Sequence, residues 1–328
     1  MDKVISFISN PAFLPWFILC GVVIFERFWQ LPARLDPLAF IRFLALRMAQ
    51  RVCPAASAST NKTQLWISGS LASFMLVVPL ILILAIFREF VHYPELFDAC
   101  ILYLSIQFSS HIQRFQQIRR ALAAGKKKLS KELLAPMVLR ETSMLSDVGI
   151  SKAAIEALVL RFHYQLLVCL FLFIVIGPIT ALTYRLCFEL HLVWNTKVPA
   201  YREFGKPAAK LCSLFQWIPV RLNALLSIFL SKGLMIFAYL KVNRLAKHWF
   251  ETNGAMLLRA HHFAFNINLS GAVYYQESKV RRIKFIGKEE PTVQFMPNAI
   301  ALINRVLIVN LLLLLLTCLI INTLLLTW

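Results

Sequence analysis

The stretch Gln64–Phe87 reads QLWISGSLASFMLVVPLILILAIF and contains no charged side chain. A helix needs about 20 apolar residues to cross about 30 Å of hydrocarbon, because each residue advances the helix by about 1.5 Å. The stretch therefore predicts a membrane-spanning helix.

Three other stretches are equally free of charge, and a fourth is interrupted by Lys232 alone. These predicted spans cover residues 4–25, 164–184, 306–328 and, with Lys232, 222–240. Two shorter apolar segments, 97–110 and 186–194, are expected either to cross or to re-enter the membrane. The sequence thus predicts an all-α, polytopic helical membrane protein with about five to six transmembrane or re-entrant helices, in a single integral membrane domain over residues 1–328.

Composition supports this class. Hydrophobic residues make up 59% of the chain and charged residues 16%, whereas soluble domains usually contain about 25% charged residues. Lys and Arg outnumber Asp and Glu by 35 to 16, giving a formal net charge of +19. Such a surplus is compatible with nucleic acid, anionic lipid or anionic substrates, but in a membrane protein it first indicates basic cytoplasmic loops.

One loop does not fit the expected alternation of cytoplasmic and external loops. Residues 185–221 hold six basic residues but only Glu189 and Glu203, although strict alternation places this loop outside the cell. Either a short segment re-enters the membrane or these charges serve chemistry. The sidedness of this loop stays open.

The segment His111–Leu134 has the pattern of a basic amphipathic helix interrupted at Gly125. Apolar residues from Ile112 to Leu122 recur at helical spacing and predict one apolar face. Packing on the bundle or on anionic lipid explains this pattern better than a nucleic-acid patch, which would need aromatic side chains that reach the bases. No nucleic-acid partner is expected.

Common catalytic motifs are absent from the sequence, including phosphate-binding loops, dinucleotide-binding loops, nucleophile elbows and zinc-protease motifs. The seven cysteines form no CxxC pair. His261 and His262 are adjacent, so on a helix their side chains point about 100° apart and favour structural or surface roles. No metal site is predicted, and the sequence assigns no catalytic residue.

A polar cluster stands out between residues 201 and 221. Its candidate anion-binding residues are Tyr201, Arg202, Glu203, Lys210 and Arg221. Arg offers a planar fork for carboxylate or phosphate, and Arg221 follows Pro219 at the expected mouth of a span. Interfacial anchoring, with Trp217 in an aromatic belt and Arg221 reaching the headgroups, fits the pattern equally well.

Two further polar elements lie on either side of this cluster in the chain. In Arg140–Leu145, Thr142 or Ser143 could cap a helix that begins near Gly149 or could bind an anion, and capping is the favoured interpretation. The second element, Asn268–Tyr275, has the pattern of a turn followed by a short strand.

In order and spacing these elements resemble the CobD/CbiB family, the integral membrane adenosylcobinamide-phosphate synthases of cobalamin biosynthesis. The family's Arg-Asp-Thr-Ser-x-Leu element corresponds here to Arg140–Leu145, which reads RETSML. Its Tyr-Arg-Asp-Phe-Gly loop and the following Ile-Pro-Ala-Arg-Leu element correspond to Tyr201–Gly205 and Ile218–Leu222. Its Gly-Gly-Pro-x-Tyr-Tyr element corresponds to Ser270–Tyr275.

The resemblance implies ATP-dependent formation of an amide bond between adenosylcobyric acid and aminopropanol phosphate, with ATP and Mg²⁺ as cofactors. It implies a multi-pass protein of the bacterial inner (plasma) membrane, whose partners besides the lipid bilayer are a corrinoid and an aminoalcohol phosphate. The implied substrate- and phosphate-binding residues are Arg140, Thr142, Ser143, Tyr201, Arg202, Glu203, Lys210, Arg221, Gly271, Tyr274 and Tyr275.

Several acids of the family pattern are missing. Leu160-Arg161 replaces a Glu-Asn pair, Tyr164 replaces an Asp, and Cys212-Ser213 replaces an Asp-Asp pair. Because carboxylates hold Mg²⁺ in such sites, catalysis would depend on whether Glu189 and Glu203 suffice. A catalytically degenerate protein is therefore also considered.

The related AmpE family, inner-membrane proteins implicated in signalling for β-lactamase induction, likewise lacks these acids. The chain shares with it Ile24–Arg27, Arg161-Phe162 and Ile218–Leu222. A non-catalytic signalling or regulatory protein is the second hypothesis, and its protein partners are unknown.

Overall fold

A computed structural model describes residues 13–32, 34–53, 61–233, 237, 253–275 and 278–326. The chain forms two compact units, each built from separate stretches of sequence. Unit 1 comprises residues 1–107, 165–215 and 309–328, and unit 2 comprises residues 108–164 and 216–308. Whether they constitute a single membrane domain stays a prediction.

Helices make up most of the described chain. In chain order they are α1 (Leu14–Phe28), α2 (Pro37–Val52), α3 (Lys62–Phe90), α4 (Pro94–Ile106), α5 (Ser109–Ala123), α6 (Lys127–Leu134), α7 (Asp147–Arg161), α8 (Val168–Val175), α9 (Pro178–Val193), α10 (Lys206–Lys232), α11 (Asn253–Phe265) and α12 (Met296–Leu326). A π-helical segment, Phe162–Leu167, joins α7 to α8. The predicted all-α class is confirmed.

Among the described residues, four helices are long and apolar enough to cross a membrane. They cover Lys62–Phe90, Asp147–Val175, Lys206–Ser231 and Val293–Ile320. On α3, large aliphatic side chains are exposed, including Leu71 at 58% and Ile83 at 64%, as suits a surface that faces lipid rather than water. The structure thus confirms the helical membrane class.

The boundaries of the spans differ from those predicted. Residues 164–184 do not form one helix, because Gly177 adopts a φ of 128° and α9 starts at Pro178. The apolar helix that contains the first part of this stretch begins upstream at Asp147. Its first turns can carry charged side chains, because unit 2 supplies partners for them. The predicted 222–240 span begins earlier, at Lys206. Residues 4–12 of the predicted 4–25 span lie outside the described residues, as do 234–236 and 238–240 of the predicted 222–240 span and 327–328 of the predicted 306–328 span.

The two short apolar segments lie within short helices. The first falls mainly on α4, which has 13 residues, and the second on α9, which has 16 residues. At about 1.5 Å per residue these helices measure about 20 and 24 Å, less than the hydrocarbon thickness of about 30 Å.

The basic amphipathic segment follows its predicted pattern. Helices α5 and α6 are separated by Gly125, which adopts a φ of 70°. On α5 the apolar face is buried, with Phe115 and Ile118 inaccessible to solvent. This face packs against protein, because α5 contacts α6 and α7.

The described part of unit 2 also contains two small antiparallel ribbons. Strand β1 (Leu269–Ser270) pairs with β4 (Lys284–Phe285), and β2 (Val273–Tyr275) pairs with β3 (Ser278–Val280). The predicted turn and strand of Asn268–Tyr275 are confirmed.

Candidate functional site

The buried carboxylate of Glu156, on α7, is the centre of a polar cluster in unit 2. Arg140 Nη2 lies 3.2 Å from Glu156 Oε2, and these two side chains are only 10% and 5% exposed. Arg140 belongs to the irregular segment that precedes α7, so the ion pair fixes that segment against the helix. A buried ion pair is stable only when the two charges are in close contact, because removing each charge from water is costly.

A sharp turn after β1 supplies the second partner. Ser270 adopts a φ of 60° and Gly271 a φ of 107°, the left-handed region that non-glycine residues rarely occupy. The Ser270 backbone N–H donates to Glu156 Oε1 at 2.7 Å. The carboxylate therefore holds the turn in its unusual conformation.

Arg282 is the third partner. Its Nη2 lies 3.6 Å from Glu156 Oε2, and its Nε donates to the Gly271 carbonyl oxygen at 3.1 Å. One guanidinium thus joins the carboxylate to the turn.

Two lysines extend the cluster. Lys152 precedes Glu156 by one helical turn and interacts electrostatically with Glu156, Arg140, Arg282 and Lys284. Lys284 stands opposite Ser270 in the β1–β4 ribbon. A Cβ added to Gly271 would lie 3.6 Å from the Lys152 Nζ atom and 3.6 Å from the Lys284 Cβ atom. Both lysines therefore border the glycine.

The charges of this cluster are unbalanced. Arg140 and Arg282 pair with the Glu156 carboxylate, and Lys152 and Lys284 lie beside the adjoining Gly271. Burial lowers the pKa of the Arg140 guanidinium from its ordinary value, and Arg282 acts in the same direction, while Glu156 opposes both. An arginine nevertheless stays protonated in proteins. The arrangement is therefore suited to receive a further negative charge.

Two of the predicted elements meet beside this cluster. The Glu141 N–H donates to the Tyr274 carbonyl oxygen at 3.0 Å, and Arg140 interacts electrostatically with the buried Tyr275. Tyr274 is 48% exposed, and the Lys279 Nζ atom lies 5.8 Å from its ring centroid. The structure thus joins Arg140–Leu145 to Ser270–Tyr275.

The hydroxyl residues of Arg140–Leu145 do not cap the following helix as predicted. Ser146, rather than Thr142 or Ser143, caps the following helix, because its Oγ accepts from the Gly149 N–H at 3.1 Å. The capping prediction was therefore wrong by a few residues. Thr142 is half-buried, and Ser143 is exposed, with its carbonyl oxygen accepting from Lys131 Nζ.

The Tyr201–Gly205 element lies in unit 1 and packs mainly through Phe204 and Gly205. Phe204 is fully buried, with its ring 4.8 Å from that of Trp194 in an edge-on arrangement. A Cβ added to Gly205 would lie 2.0 Å from the Trp194 carbonyl oxygen, so only glycine fits there. The polar members are nearer the surface: Tyr201 is half-buried, and Arg202 and Lys210 are exposed.

Arg221 lies inside α10, in unit 2, so its predicted position at the mouth of a span was wrong. Its guanidinium carbon lies 4.2 Å from the centroid of the Trp217 ring. Its Nη1 donates to the Trp217 carbonyl oxygen at 2.8 Å and lies 3.4 Å from Asn253 Oδ1. These contacts hold the guanidinium against Trp217, one turn back on the same helix.

The acids left in the family pattern are engaged by basic side chains. Glu189 is buried between Arg185 at 2.7 Å and Arg42 at 3.0 Å, and Glu203 contacts Lys206 at 2.5 Å. Burial acts to lower the pKa of Arg42, but Glu189 and Asp36 outweigh it, so that pKa is raised. Each of these glutamates is thus part of an ion pair.

No group of three or more His, Cys, Asp or Glu residues within the described ranges is arranged to hold a metal ion. Magnesium requires several oxygen ligands in near-octahedral geometry. The paired glutamates Glu156, Glu189 and Glu203 do not fit that requirement.

Sequence reasoning missed the residues at the centre of the cluster. Glu156, Lys152, Arg282 and Lys284 belong to none of the quoted motifs. The spacing of Lys152 and Glu156 on one helix face gave a signal, as did the basic run Arg281–Lys284 after the tyrosine pair. Neither signal says that these segments meet.

The sequence and the fold define a helical membrane protein with a basic cluster in unit 2. A family model described as "CobD/Cbib protein" matches residues 19–303. The chain therefore belongs to the CobD/CbiB family of cobalamin biosynthesis.

Two curated relatives cover most of the chain, and a third covers less than half of it. The cobalamin biosynthesis protein CobD of Chromobacterium violaceum is 26% identical over 297 residues, covering 90% of this chain and 93% of the relative. The protein of the same name from Stutzerimonas stutzeri is 25% identical over 256 residues, covering 78% and 82%. That from Streptococcus sanguinis is 33% identical over 137 residues, covering 41% and 42%. No solved structure matches the chain.

Proposed function

We propose that the chain is a multi-pass protein of the bacterial inner membrane that joins adenosylcobyric acid to aminopropanol phosphate through an amide bond, with ATP as the energy source. One observation carries the proposal: Arg140–Leu145 and Ser270–Tyr275, which are far apart in sequence, meet around Glu156. A structural ion pair alone would not require both family elements at one place.

The geometry suggests roles for the residues of this cluster. Arginine forks bind phosphate oxygens in pairs, so Arg140 and Arg282 would stabilise negative charge on a phosphorylated substrate. The half-exposed Tyr274 and the hydroxyl of Thr142 would orient that substrate. Arg202, Lys210 and Arg221 are further anion contacts by family resemblance, and the exposed Arg202 and Lys210 are accessible for that role.

Complementation tests this function. A bacterial strain that lacks its own synthase would be supplied with cobyric acid and aminopropanol phosphate and would carry the chain on a plasmid. We expect cobalamin-dependent growth, and we expect its loss with Arg202→Ala, which removes an exposed anion contact.

The matched control is Lys288→Ala, which also removes one exposed cation. It should support growth like the unaltered chain. Absence of growth with the unaltered chain, while immunoblots show it in the membrane, would contradict the enzymatic proposal.

A non-catalytic, regulatory member of the same family is the second candidate. The observation that favours it is the engagement of Glu156, Glu189 and Glu203 by basic side chains, which leaves none of them suited to Mg²⁺. Such a protein would bind a pathway ligand or a protein partner without forming the amide. Corrinoid binding by purified protein without any amide product would support it.

A further inference from the structure

Helix α2 buries one face in unit 1 and leaves the opposite face uncovered. Its small and aliphatic side chains pack inward, as Leu38, Ala45 and Ala49 are buried and the helix contacts α9. The uncovered face, called here the outer face of α2, consists of Phe40, Phe43, Leu46, Arg47 and Arg51. Phe40 is 60% exposed and Phe43 is 51% exposed. Large apolar side chains grouped on one surface indicate that something other than water covers it.

The charge of the outer face is positive. Residues 37–87 contain no Asp or Glu, and the nearby acids Asp36 and Glu189 both pair with Arg42. The Arg47 guanidinium carbon lies 5.3 Å from the centroid of the Phe43 ring, so a cation and an aromatic ring are side by side. Aromatic and basic side chains combined on a helix are typical of helices that lie on a membrane surface.

Contacts within unit 1 place α2 near the start of the spanning helix α3. The Trp194 Nε1 donates to the Ala45 carbonyl oxygen at 3.0 Å, and the Trp194 ring packs against Phe204. The Phe204 carbonyl oxygen in turn lies against Gly69 of α3. Gly69 is about 10 Å along the helix from Lys62, at about 1.5 Å per residue. Helix α2 therefore lies at the level where α3 enters the membrane.

Helix α2 is too short and too charged to cross the membrane itself. Its 16 residues measure about 24 Å, less than the hydrocarbon thickness of about 30 Å. It also contains three arginines, which are costly in hydrocarbon. A helix that lies along the interface instead can embed Phe40 and Phe43 among the lipids and keep Arg47 and Arg51 at the level of the headgroups.

We propose that the outer face of α2 binds anionic phospholipid headgroups at the membrane surface. Arginine forks pair with phosphate oxygens, and an anionic leaflet attracts basic side chains that lie near its surface. Because α2 also holds Trp194, which packs against Phe204, bound anionic lipid stabilises the Tyr201–Gly205 element. The proposal does not depend on whether the chain forms the amide.

Thermal unfolding of the full chain in lipid nanodiscs tests this surface. The discs contain either phosphatidylcholine alone or an equal mixture of phosphatidylcholine and phosphatidylglycerol. We expect a higher apparent Tm in the mixture. The double variant Arg47→Gln/Arg51→Gln should bind the anionic lipid about 25-fold more weakly, at about fivefold per arginine, and should lose most of the rise. In phosphatidylcholine alone it should unfold like the unaltered chain, because both side chains are exposed.

The matched control is Arg281→Gln/Lys288→Gln, which removes two exposed cations outside α2. It should keep the full rise in Tm. A rise of the same size in the Arg47→Gln/Arg51→Gln variant and in the unaltered chain would overturn the proposal. An equal loss in the control would also overturn it, because the effect would then reflect net charge rather than the outer face.

Photo-crosslinking distinguishes lipid from protein on the same face. Phe43→benzoylphenylalanine places a photoreactive group on the outer face, and Ile83→benzoylphenylalanine places the same group on the exposed side of α3. After illumination in mixed discs, we expect intact mass spectrometry to show a phospholipid adduct at both positions. An adduct at position 83 but not at position 43 would overturn the proposal. A crosslinked dimer at position 43 would instead assign the outer face to a second copy of the chain and would overturn it as well.

Discussion

Glu156 shows how one side chain can organise separate segments of a membrane protein. Its two oxygens receive the Ser270 N–H and face the guanidinium groups of Arg140 and Arg282. Removing one partner of a buried ion pair usually costs more than the pair contributes, because the remaining charge is left uncompensated. Here the remaining charges would also repel each other.

Glu156→Gln tests this role. The amide keeps the shape of the side chain but removes its charge, so we expect the free energy of unfolding to fall by about 3 kcal/mol and the apparent Tm in detergent to fall with it. The exposed Glu132→Gln is the control and should leave Tm unchanged. Equal Tm values for both variants would show that Glu156 does not hold the cluster together.

At the scale of elements, the close packing of α3 depends on a missing side chain. A Cβ added to Gly69 would lie 2.0 Å from the Phe204 carbonyl oxygen. Phe204 and Gly205 are in turn packed against Trp194, whose Nε1 donates to the Ala45 carbonyl oxygen at 3.0 Å. The family element Tyr201–Gly205 is therefore partly a packing motif of unit 1.

Gly69→Ala should disrupt this contact. The new methyl group would meet backbone atoms that have no rotamer with which to move aside, so we expect a loss of about 1–3 kcal/mol and a lower apparent Tm. Gly21→Ala is the matched control, since nothing lies within 4 Å of its added Cβ. In that helix alanine should be neutral or stabilising by up to about 1 kcal/mol. Similar Tm values for the two variants would argue against the close approach.

At the scale of the whole molecule, buried histidines couple the fold to pH. Burial lowers the pKa of His261 to about 4, and burial with Lys197 lowers the pKa of His191 to about 4. Each folded-state pKa lies below the ordinary value of 6.5, so the folded chain binds fewer protons than the unfolded chain over that range. Stability is then complete above about pH 6.5 and is lost as the pH falls toward 4.

Thermal unfolding in detergent at pH 7.5, 6 and 4.5 measures this effect. We expect the apparent Tm to fall with pH, and His261→Leu to reduce the drop, because His261 makes no contribution once it is removed. His92→Leu, at an exposed position, should keep the full pH dependence. A Tm that stays constant between pH 7.5 and 4.5 would contradict the burial of neutral imidazoles.

The helical membrane class and the paired elements were predictable from the sequence, since charge-free runs and apolar periodicity are local properties of the chain. The stretch Gln64–Phe87 lies within α3 as predicted, whereas residues 164–184 are divided at Gly177 by a local conformation that hydropathy does not express. The residue that caps the N-terminus of α7 was also decided by local geometry, which favoured Ser146 over Thr142.

The candidate site, by contrast, was decided by tertiary structure. Glu156 and Ser270 are 114 residues apart and meet only when α7 packs beside the turn after β1. Sequence alone determined that this protein occupies a membrane and which basic and hydroxyl residues its family elements contain. Only the fold decided which of them share one place, because the energy of a buried charge depends on neighbours that linear order does not specify.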